Sequence, residues 1–213
     1  MAAVTISGML ALEAKALASG WTEEQLLNLA GERLGLAIGR FFPQPGTAIG
    51  YLGKGHNAGD TLVALRMLRD RFGWKTGVRL AFATDQLAPL TLRKFEEAGI
   101  PSLPGPPDWR DVDRPLLLLD GLLGIGAKGA MRGPLPLFAE EMDWLRKNAG
   151  ARVAAVDIPS GIDADTGFPS PGTVTADVTF MIGSAKRGLL CGQATNHAGA
   201  FALVPLEILN SSD

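Results

Sequence analysis

The chain has 213 residues, of which 46% are hydrophobic and 20% charged, so it can bury one large core. Its 22 acidic and 20 basic residues nearly cancel, which excludes a global field that attracts nucleic acid or an anionic membrane. One cysteine and two histidines exclude an intramolecular disulfide, a thiolate cluster and a histidine-rich metal site. With neither a signal-peptide pattern nor a long apolar run in the sequence, we predict a cytoplasmic protein without membrane partners.

Two helical patterns open the chain, at about residues 7–42, and Thr22 and Gln25 stand at capping-box spacing before the second. From about residue 47, apolar strands alternate with helical patterns. The first helix of this part of the chain is predicted to begin at Asp60. This alternation is typical of an α/β protein whose parallel sheet is covered by helices on both faces. We predict a single domain over residues 1–213, with the α/β core at about 47–210.

Three of the apolar runs end in a polar side chain, namely Asn57, Asp120 and Asp157. The carboxyl ends of parallel strands lie along one edge of a sheet, and ligands bind in the crevice there. We therefore expect these three residues, which are distant in sequence, to be neighbours in space.

The first of these ends carries Gly53, Gly55 and Gly59 at the spacing of some dinucleotide-binding turns. An ordinary dinucleotide-binding dehydrogenase is disfavoured, because Asp60 at the helix start would cap the N–H groups that a pyrophosphate needs and would repel it. Two interpretations stay open for Asn57 and Asp60. They either point at another ligand or are simply a turn residue and a helix cap.

The second end is a glycine-rich loop over residues 121–133 that includes Lys128 and Arg132. Closely spaced glycines let backbone N–H groups converge on an anion, and the two cations could neutralise it. This loop is the better phosphate site of the two, although a flexible surface loop with solvated charges is the alternative.

The third end places Asp157 and Ser160 after a strand. No EF-hand pattern is present, and Ser160 follows Pro159 outside any nucleophile-elbow motif. One carboxylate with an amide, a hydroxyl and backbone carbonyls would instead suit a hard cation of low charge.

Together, the stretches GKGHNAGDTLVALRML, LLLLDGLLGIGAKG, VAAVDIPSGIDADTG and VTFMIGSAKRGLL resemble, in order and spacing, the YjeF N-terminal domain family of NAD(P)H-hydrate epimerases. The resemblance implies a three-layer Rossmann-like fold with a mostly parallel sheet. It also implies an isomerase for nicotinamide nucleotide repair, which interconverts the R and S epimers of NADHX and NADPHX. A bound potassium ion and a homodimer are further implications.

Carried over to this chain, the resemblance implies a set of site residues at the three strand ends. The potassium ligands would be Asn57, Asp120 and Ser160. The substrate would be bound by the residues His56, Asn57, Ala58, Gly59, Asp60, Gly124, Ile125, Gly126, Ala127, Lys128, Gly129, Ala130 and Asp157.

The sequence departs from the family pattern in several places, two of which belong to this set. His56 replaces an asparagine, Ala58 a glycine and Glu13 an aspartate. Ala58 tests whether its backbone position needs a positive φ, at which a Cβ costs roughly 1 kcal/mol or more. The three potassium ligands are retained, which favours an active enzyme.

The implied reaction inverts a hemiaminal carbon and needs a proton shuttle rather than a redox partner. Asp157 is the first candidate, because a carboxylate at a crowded strand end can have its pKa raised. Lys186 is the second, as an acid or as an electrostatic support. A non-catalytic binding module, for protein or RNA, is the alternative function. In many bacteria this domain is fused to a dehydratase that consumes the S epimer, so the chain could have a fused or separate dehydratase partner.

Overall fold

A computed structural model describes residues 3–209. Residues 1, 2 and 210–213, which include both ends of the predicted domain, lie outside the described residues. The helices are α1 (Ile6–Ala18), α2 (Glu23–Phe41), α3 (His56–Phe72), α4 (Pro89–Ala98), α5 (Leu135–Asn148) and the short α6 (Thr195–Ala198). The strands are β1 (Thr47–Leu52), β2 (Lys75–Leu80), β3 (Leu116–Gly121), β4 (Arg152–Val156), β5 (Val178–Ile182) and β6 (Ala200–Val204).

The six strands form one parallel sheet in the order β2-β1-β3-β4-β5-β6. Because side chains alternate along a strand, Leu117 and Leu119 of β3 pack with α1 to α4, while Leu116 and Leu118 pack with α5. The predicted three-layer α/β fold is therefore confirmed. Asp120 lies near the end of β3, while Asn57 and Asp157 follow β1 and β4, and these three strands are adjacent in the sheet.

The edge strand β6 differs from the prediction of strands buried on both faces. Phe201 and Leu203 on this strand are each 39% exposed. An edge strand has one neighbour only and less helix cover, so its apolar sequence does not guarantee burial.

Helices α2 and α3 approach each other through a stripe of glycines on α2. A Cβ on Gly31 would lie 2.4 Å from Val63, and one on Gly35 would lie 2.6 Å from Met67. The missing side chains therefore let the two backbones pack closely, which fixes the position of α3 and of its first turn. The predicted capping box at the start of α2 is present, with Thr22 and Gln25 in its two roles.

The segment before α1 is tied to the loop after β5. Val4 donates its N–H to Ala185 and accepts one from Arg187, both at 2.8 Å. The N–H of Ile6 is accepted by the Asp165 carboxylate at 2.8 Å. These contacts bring α1 across the carboxyl edge of the sheet, where the strand-end residues lie.

Candidate active site

The opening loop is shorter than predicted, because α3 begins at His56 and not at Asp60. The N-cap is Gly55, which provides no side-chain cap, so Asp60 lies in the second turn and is not a helix cap. Asn57 is likewise a helical residue, 8% exposed, rather than a turn residue. Both capping and turn interpretations of these residues are therefore wrong.

The three glycines of this segment have three different structural roles. A Cβ on Gly53 would lie 1.9 Å from the carbonyl oxygen of Leu122, because the ends of β1 and β3 approach closely there. Gly59 leaves room for the side chain of Leu27, which a Cβ would meet at 2.7 Å. A Cβ on Gly55 would have no atom within 4 Å. Close packing therefore accounts for Gly53 and Gly59, whereas no contact requires Gly55.

Ala58 answers the question that its departure from the family pattern raises. It lies in the first turn of α3, is 1% exposed and belongs to the main core. Asp157 is the only non-glycine residue with a positive φ among residues 3–209. Alanine at this position therefore causes no backbone strain.

The three predicted ion ligands come together in one hydrogen-bonded chain. The amide of Asn57 donates to the Leu123 carbonyl at 2.9 Å, and the Leu123 N–H donates to the Ser160 hydroxyl at 2.9 Å. That hydroxyl donates to Asp120 at 2.6 Å, and the Ser160 N–H donates to the same carboxylate at 2.7 Å. The expected juxtaposition of these strand ends is therefore present.

Asp120 is a fully buried carboxylate in this chain. Burial raises its pKa to about 6, although hydrogen bonds from Ser160 and Leu122 act in the opposite direction. None of the groups that shift this pKa is a cationic side chain. A nearby cation would therefore stabilise the ionised form.

Beside Ser160 lies a small cavity of about 20 Å³, whose lining includes Leu123, Gly124 and Asp163. This volume suits a single particle about the size of water. Over residues 3–209, no cluster of three or more His, Cys, Asp or Glu side chains is arranged to hold a metal. Carbonyl, hydroxyl and amide oxygens with one buried carboxylate nevertheless fit a hard cation of low charge.

Asp157 and Lys186 form an ion pair at the end of β4. The Lys186 ammonium contacts Asp157 Oδ1 and donates to the Ile182 carbonyl at 2.7 Å. The N–H of Ile182 also donates to Asp157 Oδ1, at 2.9 Å. Lys186 is 1% exposed and the Asp157 side chain 13% exposed, so the lysine lies beneath the aspartate and only Asp157 reaches the cavities described next.

Two cavities meet at the carboxyl edge of the sheet. The main cleft, of about 470 Å³, is lined by Lys54, Phe82, Leu123 and the stretch 124–127. The apolar chamber, of about 170 Å³, is lined by residues that include Met9, Leu17, Leu26, Leu27, Ala30 and Ile182. Both cavities share four residues, which we call the neck: Glu13, His56, Asp60 and Asp157.

The predicted glycine-rich loop contributes only in part to the main cleft. Gly124, Ile125, Gly126 and Ala127 line it. Gly129 lines the small cavity beside Ser160, whereas Lys128 and Ala130 are exposed and line neither. The lysine that lines the main cleft is instead Lys54, whose ammonium lies 5.2 Å from the centre of the Phe82 ring.

Sequence reasoning did not select Glu13 or Lys54 as site residues. Lys54 stands between two glycines directly before α3, a position that could have suggested it. Glu13 lies on α1 between Met9 and Ala16, which are both buried. A charged residue on the buried stripe of an amphipathic helix is the signal that could have identified Glu13.

The neck concentrates negative charge in a partly buried place. Burial raises the pKa of Asp60 well above its ordinary value, and the nearby charges of Asp157 and Glu13 raise it further. Burial and then Asp157 likewise raise the pKa of Glu13, while Lys186 and His56 lower it. The neck therefore combines two carboxyl groups of raised pKa with the paired carboxylate of Asp157, an arrangement that suits general acid–base catalysis.

Replacing Asp60 by Asn is expected to stabilise the protein near neutral pH. Because folding raises this pKa, the folded state holds an extra proton and stability falls as pH rises from about 4 to the raised pKa. Asparagine does not titrate, so the variant does not lose this stability as the pH rises. Each ~1 kcal/mol gained in the free energy of unfolding raises the melting temperature by about 2–4 °C. Thermal unfolding from pH 4 to 8, with exposed Asp111→Asn as control, checks this. An advantage that does not grow with pH would contradict it.

Comparison with known proteins places this site in a family. Residues 23–188 match the family model of the YjeF-related protein N-terminus. The yeast protein ynu0, YNL200c, whose crystal structure is known, superposes with a TM-score of 0.76 at 21% identity, over 95% of this chain and 87% of that one. The fold and its strand-end cleft thus define an α/β domain of the YjeF N-terminal class.

Relatives similar in sequence carry more specific names. A bifunctional NAD(P)H-hydrate repair enzyme Nnr of Thermosynechococcus vestitus is 33% identical over 97% of this chain, which spans only 40% of that protein. An NAD(P)H-hydrate epimerase of Rhodobacter capsulatus is 32% identical over 84% of this chain and 86% of its own length. One from Clavibacter sepedonicus is 34% identical over 91% and 85%. The chain belongs to the YjeF N-terminal domain family.

In the part of the chain that the structure describes, no helix combines the length and apolar character needed to cross a membrane.

Proposed function

We propose that this protein is an NAD(P)H-hydrate epimerase, an isomerase that interconverts the R and S epimers of NADHX and NADPHX. The names of the Rhodobacter and Clavibacter relatives support this, because the chain covers most of both proteins. The Thermosynechococcus relative is a bifunctional repair enzyme, of which the chain spans only a part. The proposed activity is therefore that of the epimerase alone.

The reaction inverts one carbon that bears a hydroxyl group and is bonded to the ring nitrogen. That carbon loses its configuration when the nitrogen lone pair expels the hydroxyl as water, and it regains one when water adds to either face. Protons must be delivered and removed at the ring, and no electrons leave the substrate. An apt site therefore contains positioned proton donors and acceptors in a partly dry cleft.

The observation that carries the proposal is the Asp157–Lys186 pair at the neck of the cleft. Lys186 and the Ile182 N–H both contact Oδ1 of Asp157, and in residues 3–209 no hydrogen bond is made to its Oδ2. Asp157 lines both cavities and is therefore positioned to exchange a proton with a ligand. Because Lys186 is buried beneath it, we assign Lys186 the supporting role rather than that of an acid that touches substrate.

The rest of the cleft suits a dinucleotide with an anionic centre. The N-terminus of α3, at His56 and Asn57, presents free N–H groups and the positive end of the helix dipole. Lys54 and the backbone of Gly124 to Ala127 line the same cleft. We infer that the diphosphate binds between these elements, with the hydrated ring at the neck.

The direct test is to incubate the purified protein with a single NADHX or NADPHX epimer. Chromatographic separation of the R and S forms measures their interconversion against the uncatalysed rate. Thermal stabilisation by the hydrated nucleotide, compared with single-stranded RNA, gives a second readout. Stabilisation by RNA alone, without any gain in epimerisation, would sink the proposal.

We also propose that a potassium ion binds beside Ser160, held by Ser160, Asn57, Asp120 and backbone carbonyls. The all-oxygen set with one buried carboxylate supports this proposal, as does the size of the small cavity. Of the three side chains only Ser160 lines that cavity, and Asn57 and Asp120 are connected to it by their hydrogen bonds with Leu123 and Ser160. Once bound, the ion would contribute positive charge that orders the strand-end loops. Its effect on the proton transfers at the neck would be indirect.

Potassium is expected to raise the melting temperature relative to tetramethylammonium at equal ionic strength, because only the small ion enters the cavity. A concentration of 100 Kd stabilises the folded state by about 2.7 kcal/mol, which corresponds to about 5–11 °C. Asp120→Asn should abolish the difference between the two salts, whereas surface Asp70→Asn should retain it. Equal melting temperatures of the unmodified protein in both salts would contradict the ion site.

We further infer that the protein acts in the cytoplasm, where its proposed substrates arise from NADH and NADPH. A single cysteine fits a reducing compartment. The bifunctional names of several relatives support a fused or separate dehydratase as the next enzyme.

A further inference from the structure

Glu13 occupies an unusual position on α1. Its neighbours one turn before and after on the helix, Met9 and Ala16, are 3% and 2% exposed and pack in the main core. Residues spaced i, i+4 and i+7 lie on one face of a helix, so Glu13 lies on the buried stripe of α1. In the part of the chain described, it forms neither a hydrogen bond nor an ion pair. A carboxyl group without a partner on a buried helix face lowers the stability of the fold, so its presence at this position calls for an explanation.

The side chain of Glu13 lines the main cleft and the apolar chamber, as Asp157 does. The two carboxyl groups come from opposite ends of the chain, one from α1 and the other from the end of β4. We propose that Glu13 is a second catalytic residue, the proton donor that works with Asp157 as proton acceptor. This inference rests on the proposed function and extends it to a residue outside the three strand-end loops.

The surroundings of the two groups differ in a way that separates their roles. Asp157 has the ammonium of Lys186 and the N–H of Ile182 on one oxygen, so it is a charge-paired carboxylate whose other oxygen faces the cavities. Glu13 has no such partner, and burial together with the charge of Asp157 raises its pKa. The neck therefore places a carboxyl group with a raised pKa near a carboxylate that is paired with an ammonium, which is the pattern of a proton donor beside a proton acceptor.

Several titratable groups surround Glu13, and they come from α2, α3 and the segments after β4 and β5, whereas α4 and the segment after β6 line the apolar chamber with leucines only. They are Glu23 of α2, His56 and Asp60 of α3, Asp157 after β4, and Lys186 after β5. Three of these five are acidic, and Lys186 is already paired with Asp157. The net effect is to hold a proton at the neck.

The proposed step balances without an oxidant or a reductant. The protonated Glu13 carboxyl gives its proton to the hydroxyl of the hemiaminal carbon, whose C–O bond breaks with the electron pair leaving on water. The ring-nitrogen lone pair forms a C=N bond. Water then adds to the other face, its proton passes to Asp157, and the C=N π electrons return to nitrogen. One proton has moved from Glu13 to Asp157, and exchange with solvent resets both groups.

The two-sided form of the neck suits this sequence of events. Hydroxyl departs from one face of the ring and water arrives at the other, so donor and acceptor must both reach the reacting carbon. With the dinucleotide placed in the main cleft as proposed above, the apolar chamber, which shares the neck residues, offers an aliphatic surface for the uncharged ring.

The test compares Glu13→Gln with Glu13→Asp and with Glu32→Gln, an exposed glutamate on α2. Glu13→Gln is expected to lower kcat for epimerisation by about 10²-fold or more, the usual contribution of a general acid. Glu13→Asp keeps the carboxyl group and should retain a substantial part of the activity. Glu32→Gln should match the unmodified protein.

Two further measurements separate a catalytic role from a structural one. Thermal stabilisation by NADHX should persist in Glu13→Gln, because the glutamine fills the same space. In the unmodified protein kcat should fall at high pH as the donor loses its proton, and this alkaline limb should disappear in Glu13→Gln. Unchanged kcat in Glu13→Gln, or loss of NADHX stabilisation together with kcat, would overturn the inference. An inactive unmodified protein would overturn the proposed function itself.

Discussion

Asp157→Asn is expected to slow epimer interconversion by about 10²–10⁴-fold, the range that general acid–base groups contribute. Asparagine retains the size and the hydrogen bond from the Ile182 N–H, but it cannot take up a proton. Asp157 also has a φ of 68°, and asparagine is one of the residues that adopt this left-handed conformation most readily. The substitution therefore removes the proton acceptor without adding backbone strain.

The controls for this prediction follow from the surroundings of Asp157. Asp143→Asn removes a carboxylate from the surface of α5, where it pairs with Lys147, and should leave the rate unchanged. Binding of NADHX by Asp157→Asn should persist in a thermal-shift assay, which separates chemistry from affinity. A rate equal to that of the unmodified protein would remove Asp157 from the proton transfer.

Gly53→Ala is expected to destabilise the protein by about 3 kcal/mol, the upper part of the range for overpacked sites. The new Cβ would lie 1.9 Å from the Leu122 carbonyl oxygen and 2.9 Å from its carbon. These are backbone atoms, so no side-chain rotation can relieve the contact and the ends of β1 and β3 must separate. A chain of this size should lose about 6–12 °C in melting temperature.

Gly55→Ala, two residues further on, is the matched control for Gly53→Ala. A Cβ there meets nothing within 4 Å, and its φ of −99° is accessible to any residue. Alanine is a somewhat poorer N-cap than glycine, so a loss below about 1 kcal/mol is expected. Similar losses in the two variants would show that glycine is needed for chain flexibility and not for the close approach of β1 and β3.

The strand-end neighbours could be predicted from the sequence because two general rules determine them. Apolar runs that alternate with helices indicate a parallel sheet, and all the carboxyl ends of such a sheet share an edge. Asn57, Asp120 and Ser160 accordingly form one hydrogen-bonded chain with Leu123. The direct contact also depends on the strand order, which makes β1, β3 and β4 neighbours and which the sequence patterns do not specify.

The start of α3 could not be predicted locally, because its first residues have a loop-like composition. Gly55, His56, Asn57 and Gly59 all have moderate or poor helix propensity. The helix forms there because Ala58 is buried in the core and Leu27 packs where a Gly59 side chain would be. Both contacts involve α2 or the sheet, so tertiary packing overrides local preference.

Glu13 was missed for a different reason. Its significance depends on Asp157 and Asp60, which are far from it in sequence, and no spacing rule connects a residue on α1 with the end of β4. The burial of Met9 and Ala16 on both sides of it becomes informative only when the helix faces are assigned. Long-range charge clusters of this kind require the fold before they can be recognised.

The hydrogen bonds that join Val4 to Ala185 and Arg187 also determine when the site can form during synthesis on the ribosome. At about 5–20 residues per second, the partners of Val4 emerge roughly 10–40 s after it. During that interval α1, which carries Glu13, has no docking surface from the loop after β5. The nascent chain can build the β1, α3 and β2 unit early, but its acid and its base meet only after most of the chain has been translated.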